Sequence, residues 1–113
     1  MKLLILVLNK VEALEDILEN FSKSGIKGAT IIDSQGMARV LTGADSENLP
    51  LFGSLSMLIN ENRPFNKTIF SVLNEEDIPL ALSAIEDAVG DITKPDVGIV
   101  FTIPIDFVKG IQR

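Results

Sequence analysis

The chain has 113 residues, a formal net charge of −6, no histidine, cysteine, tyrosine or tryptophan, and 46% hydrophobic residues. That length suits one domain with a sizeable core built from Leu, Ile and Val, and the acidic balance disfavours a phosphate backbone as partner, so no nucleic-acid role is expected. Without cysteine there is no disulfide framework or thiolate chemistry, without histidine the usual general acid–base is missing, and nitrogen–sulfur metal sites are excluded; a cytoplasmic binding protein is expected, not an enzyme.

Leu3 to Leu8 is an unbroken apolar run. It is too short for a membrane span and lacks the small-residue cleavage site of a signal peptide, so it reads as a buried strand with no direct membrane insertion. Asn9 with Glu12 three residues on has the spacing of a capping box. Val11, Leu14, Leu18 and Phe21 follow at helical spacing, and Gly25 is placed to stop the helix in a left-handed conformation. Ile26 to Ile32 reads as a second strand, which Ala38 to Leu41 extends.

The second half repeats this punctuation. Thr68 to Leu73 is β-branched and apolar, a strand. Asn74 is a cap candidate, Ile78, Leu82, Ile85 and Val89 form a helical stripe, and Gly90 closes it. Asn9 to Gly25 and Asn74 to Gly90 both span sixteen positions. Pro79 falls in the first turn, where it is tolerated, and Glu75, Glu76 and Asp77 suit the positive end of the helix dipole. Val97 to Ile103 makes the last strand.

The order β-α-β, long insert, β-α-β predicts a single α+β domain over 1–113. The expected fold is ferredoxin-like, a four-stranded antiparallel sheet with two helices on one face, and strands 1 and 3 should be central. Helices on one face leave the other face wet, and such a strand should alternate apolar and polar. Strand 1 instead presents Leu3, Ile5 and Val7 on one face and Leu4, Leu6 and Leu8 on the other. Either sheets of several copies pack together or the insert folds back over the sheet. The first is the expectation. Residues 42–66 form the insert, in which Phe52, Leu55 and Leu58 share a helical face; they dock either on a partner protein or on the chain's own assembly.

The stretch Gly25-Ile26-Lys27-Gly28-Ala29-Thr30 through Gly36-Met37-Ala38-Arg39 resembles the second strand and following turn of the PII (nitrogen regulatory protein P-II) signal-transduction family. There a G-x-T on the strand precedes a glycine-rich G-x-G-R-Q turn. The close, Gly98 to Ile111, is similar to that family's last strand and short helix. The resemblance implies a homotrimer with sheets lining its core, and a small effector, ATP, ADP or another adenine nucleotide, in the clefts between subunits. It also implies a loop at about 42–66 that engages a membrane transporter or a regulatory protein. On it, Thr30 lies near the adenine, and Gly36, Met37 and Arg39 form the turn beside the ligand.

The pattern is broken at several positions. Val40 stands where the family has the glutamine that serves Mg²⁺ and 2-oxoglutarate. Ala38 replaces the second turn glycine, and Ile99 the phosphate-binding lysine after Gly98. Lys94 is the nearest substitute cation, out of register. Gly110 and Gln112 stand in for the late arginines. With few cations to hold a triphosphate, the rival reading is a non-sensing trimeric scaffold that binds a partner without nucleotide. An acylphosphatase-like enzyme is disfavoured, since no arginine lies near Asn9.

Overall fold

The computed structural model describes residues 1–41 and 65–111. The elements are β1 (Lys2–Leu8), a 3-10 turn (Val11–Ala13), α1 (Leu14–Lys23), β2 (Thr30–Ser34), α2 (Met37–Leu41), β3 (Asn66–Leu73), a 3-10 turn (Glu75–Asp77), α3 (Ile78–Val89) and β4 (Gly98–Pro104). One antiparallel sheet runs in the order β2-β3-β1-β4. The ferredoxin-like α+β fold is therefore present, with β1 and β3 central.

The core lies between α1, α3 and one face of the sheet. Leu4, Leu6 and Leu8 of β1, Ile69 and Leu73 of β3, Ile17 and Phe21 of α1, and Ala81, Ala84, Ile85 and Val89 of α3 are buried together. The helical stripes are shifted from the sequence reading: Ala13, Ile17 and Phe21 are the buried line of the first helical segment, while Val11, Leu14 and Leu18 are half-buried. Ala81 and Ala84 let the two helices approach closely, and the Asn20 side-chain amide donates to the Ala84 carbonyl at 3.0 Å. Small residues at the crossing displace the expected Leu82 to its margin.

The two helix stops differ from their starts in how well they follow local rules. At the end of α1, Gly25 has φ +87°. The Ile26 N–H donates to the Phe21 carbonyl at 2.8 Å and the Gly25 N–H to the Ser22 carbonyl at 3.1 Å. This is the Schellman pair of bonds, completed by burial of Ile26 and Phe21 in one cluster. Asn9 does not stand at either cap position: Lys10 precedes the 3-10 turn and Ala13 precedes α1, neither with a side-chain cap bond. The Asn9 N–H continues the β1–β4 ladder to the Val97 carbonyl at 2.9 Å, and its Oδ1 accepts from Asn66. Tertiary partners have claimed both groups.

Strand 2 is a correction. Ile26 is used in the helix stop and Gly28 accepts from the buried Ser71 hydroxyl at 2.7 Å, so pairing with β3 begins only at Thr30, opposite Phe70. The chain does not resume the strand at Ala38. It forms the short helix α2, in keeping with the helix propensity of Met, Ala, Arg and Leu; the Val40 N–H donates to the Gly36 carbonyl at 3.2 Å. The C-terminal segment 105–111 is not helical. It leaves β4 by an Ile105 N–H bond to the Met1 carbonyl at 3.2 Å and crosses the end of the sheet.

The second face of the sheet is apolar. Cross-strand rows place Ile103, Leu3 and Val72 together, then Phe101, Ile5 and Phe70, then Ile99, Val7 and Thr68. Leu3, Ile5 and Val7 are half-buried by their neighbours. Ile99, Phe101, Ile103 and Ile32 are 58, 43, 44 and 45% exposed. No helix among the described residues is long and apolar enough to cross a membrane.

Candidate functional site

At one end of the sheet, the end of β2, the start of β3, the turn after β1 and the loop before β4 converge. Ser34, the last residue of β2, faces Asn66, the first of β3. The Ser34 hydroxyl donates to Oδ1 of Asn66 and lies 2.7 Å from the Thr68 hydroxyl. A hydroxyl has one proton, so with Ser34 donating to Asn66 the Thr68 hydroxyl donates to Ser34. Nδ2 of Asn66 in turn donates to Oδ1 of Asn9 at 3.3 Å. Asn66 is 8% exposed, so these bonds satisfy a buried amide whose loss would be costly. The Val97 carbonyl then takes the N–H groups of both Asn9 (2.9 Å) and Lys10 (3.0 Å), tying the loop before β4 to the same centre.

Of the residues singled out by the sequence, Gly36 and Met37 are at this end. A Cβ on Gly36 would stand 3.8 Å from Nδ2 of Asn66, so the turn borders the amide network. Met37 is 77% exposed, and Arg39 lies two residues on, in α2. Lys94 is exposed in the loop leading to β4, its N–H donating to the Asp91 carbonyl at 3.2 Å. Thr30 is not with them. It opens β2 at the far end, some four residues and about 13 Å of strand away from Ser34, where it helps line a groove of about 830 Å³. That groove lies where the chain has peeled away from β3, between Lys27, Thr30, Phe70 and Asn74, with Ile111 of the crossing tail on its rim. Phe52, Leu55 and Leu58 lie outside the described residues.

The loop before β4 has its own local organisation. Oδ1 of Asp91 accepts from the Thr93 hydroxyl at 2.6 Å and the Thr93 N–H at 2.9 Å. These two bonds, the hydroxyl first, hold the Asp91 carboxyl below its ordinary value. A folded-state pKa that is depressed stabilises the fold above the ordinary carboxylate range and loses that contribution as pH falls through the depressed value. Thr93→Val removes the hydroxyl and keeps the N–H bond. The Asp91 carboxyl should then titrate at higher pH, read as a shifted midpoint of its side-chain carbon resonance; an unmoved midpoint would remove the hydroxyl as the cause. Asp96 turns the loop with φ +66°, a conformation that aspartate tolerates better than most residues.

Gly98 follows with φ +155°. A Cβ there would lie 2.6 Å from the Val7 carbonyl oxygen and 3.3 Å from Cα of Leu8. Close passage of β4 against β1 therefore requires glycine, which accounts for Gly98 without any ligand. Asn9, Ser34, Asn66 and Thr68 were not legible as a group. Asn9 has the spacing of a cap, and no periodicity marks the others. Among the described residues no cluster of three or more Asp or Glu is placed to hold a metal ion. No protein-family model matches the chain, and no curated protein matches it.

Proposed function

We propose that this chain is a PII-like homotrimeric regulatory protein, not an enzyme, which binds a small effector at subunit clefts and engages a protein partner through residues 42–66. The observation that carries the reading is the apolar second face of the sheet. Ile99, Phe101 and Ile103 extend a nearly unbroken apolar surface from β1 to the sheet edge, larger than the isolated exposed residues of ordinary surfaces. Packing copies of this face around a common centre removes it from water. The insert between β2 and β3 has the position of the loop through which PII proteins act.

The effector class rests on the resemblance, and an adenine nucleotide is the first candidate. Thr30 and the Gly36–Lys94 end are about 13 Å of strand apart in one chain, so a cleft lined by both draws on length of ligand or on a second subunit. With Arg39 and Lys94 as its cations, the site holds a triphosphate more weakly than one with several converging cations.

Isothermal titration with ATP, ADP, AMP and cyclic dinucleotides, with and without Mg²⁺, tests this beside the mass by light scattering. A trimer that binds one of them, at least about ten-fold more weakly after Arg39→Ala or Lys94→Ala, supports the reading. A trimer that binds none leaves the scaffold reading, in which partner capture through Phe52 and Leu55 is independent of effectors.

A further inference from the structure

Hydrogen peroxide oxidises sulfur, as cysteine thiolate or methionine thioether, where solvent reaches it. This chain has no cysteine, so its three methionines are all the sulfur it holds. Met57 lies outside the described residues. The other two stand in different surroundings. Met1 is half-buried, and its carbonyl accepts from the Ile105 N–H at 3.2 Å. Met37 is 77% exposed and takes no part in the core cluster, although methionine is by nature a filler of apolar cores.

Met37 opens α2, a helix of five residues, which leads into the insert. A helix of that length is marginal by itself and depends on residues that favour it, methionine among them. The Val40 N–H closes a turn of it on the Gly36 carbonyl at 3.2 Å. Gly36, immediately before Met37, borders the buried amide network, since an added Cβ would stand 3.8 Å from Nδ2 of Asn66. A polar change at Met37 therefore falls on an element of low stability that adjoins a fixed one.

We infer that Met37 is the preferred, reversible site of peroxide oxidation among the described residues, and that its sulfoxide loosens α2 at the entry to the insert. The step balances with hydrogen peroxide alone. The thioether sulfur takes one peroxide oxygen, and the O–O bond breaks as the S–O bond forms. Sulfur loses two electrons to the peroxide, and the other oxygen leaves with both protons as water. The product is polar and chiral. Because the Met37 side chain already lies in water, its sulfoxide costs the core nothing and the sheet stays folded, unlike oxidation of a buried methionine. The same exposure admits the sulfoxide reductases that reverse the step, one for each epimer. The inference stands apart from the trimer and the effector proposed above.

Treating the folded protein with hydrogen peroxide and reading its peptides by mass spectrometry tests it, beside amide resonances recorded before treatment, after it and after repair. Met37 should gain one oxygen at least about five-fold faster than Met1, and the two reductases together should remove it. The Gly36 and Val40 amides and the Asn66 side-chain amide should shift and then return, while the amides of Leu6 and Ile85, in the core, stay in place. Met37→Leu keeps an apolar helix former and should abolish these shifts. Shifts that persist in that variant arise from another methionine and overturn the assignment. Equal rates at Met1 and Met37 overturn the preference, and a sulfoxide that both reductases leave in place overturns the reversibility. Unmoved Gly36 and Val40 resonances overturn the effect on α2. Should the variant fold poorly, the rates and resonances of the parent decide alone.

Discussion

Gly98→Ala is expected to destabilise the protein by about 3 kcal/mol or more, combining backbone strain with a steric shift in a packed ladder. For a chain of this size that is roughly 10–15 °C in melting temperature. The cause is the 2.6 Å approach of an added Cβ to the Val7 carbonyl oxygen. The atom in the way is backbone, in the central strand, with Leu6 and Leu8 fully buried on either side of it. Neither strand can yield without moving the core. Gly25→Ala separates this from conformational preference alone. Gly25 also has positive φ, +87°, yet an added Cβ meets nothing within 4 Å, so its cost should stay near about 1 kcal/mol. Thermal melts of both variants decide the matter. Equal losses would show that dihedral strain, and not the approach of β4 to β1, is what Gly98 relieves.

If the apolar faces pack together in the proposed trimer, Phe101→Asp is expected to convert it to monomer at concentrations where the parent is wholly assembled, a three-fold fall in mass by light scattering. Phe101 is 43% exposed in the single chain, so a carboxylate there reaches water and should cost the monomer no more than about 1 kcal/mol. In a face-to-face assembly the same carboxylate is enclosed among Ile5, Phe70 and their copies, and an unpaired buried charge costs several kcal/mol. That difference between states is what shifts the equilibrium. Leu80→Asp is the control. Leu80 is 48% exposed, close to Phe101, but lies on α3, on the helix side of the sheet. It should leave the mass unaltered. If Phe101→Asp remained a trimer, the apolar face would have no part in assembly; if both variants dispersed, added negative charge on an already acidic chain would be the cause.

The Asn66 network and the Gly98 approach have a common consequence. Both concentrate at the end of the sheet where the insert begins and ends, and both hold backbone in place by contacts between residues far apart in sequence. Ser34 ends β2 and Asn66 begins β3, the two strands that the insert connects. A partner or effector acting at the turn of Gly36 and Met37 would meet a support already fixed by Asn9, Thr68 and Val97, so its differential binding energy would fall on the insert and not on the sheet.

What the sequence by itself determined is the element order and the two-faced apolar character of β1. Both are properties of local pattern: a period of two or of 3.6 survives in the residue string, and Gly25 and Gly90 mark helix ends because few other residues enter the left-handed region cheaply. The central place of β1 and β3 followed from the handedness of crossovers, which is also local in origin. Tertiary structure alone decided where strand 2 begins, since Ile26 is drawn into the helix stop by Phe21 and Gly28 is held by the hydroxyl of Ser71. It decided that Asn9 serves β3 through its side-chain oxygen, which accepts from Asn66, and β4 through its backbone N–H, which donates to Val97. It decided that Gly98 is required by β1, and that Thr30 stands apart from Gly36, Met37 and Lys94. Apart from the local Phe21–Ile26 helix stop, these interactions join residues some forty to ninety positions apart, and no periodicity records which of them wins.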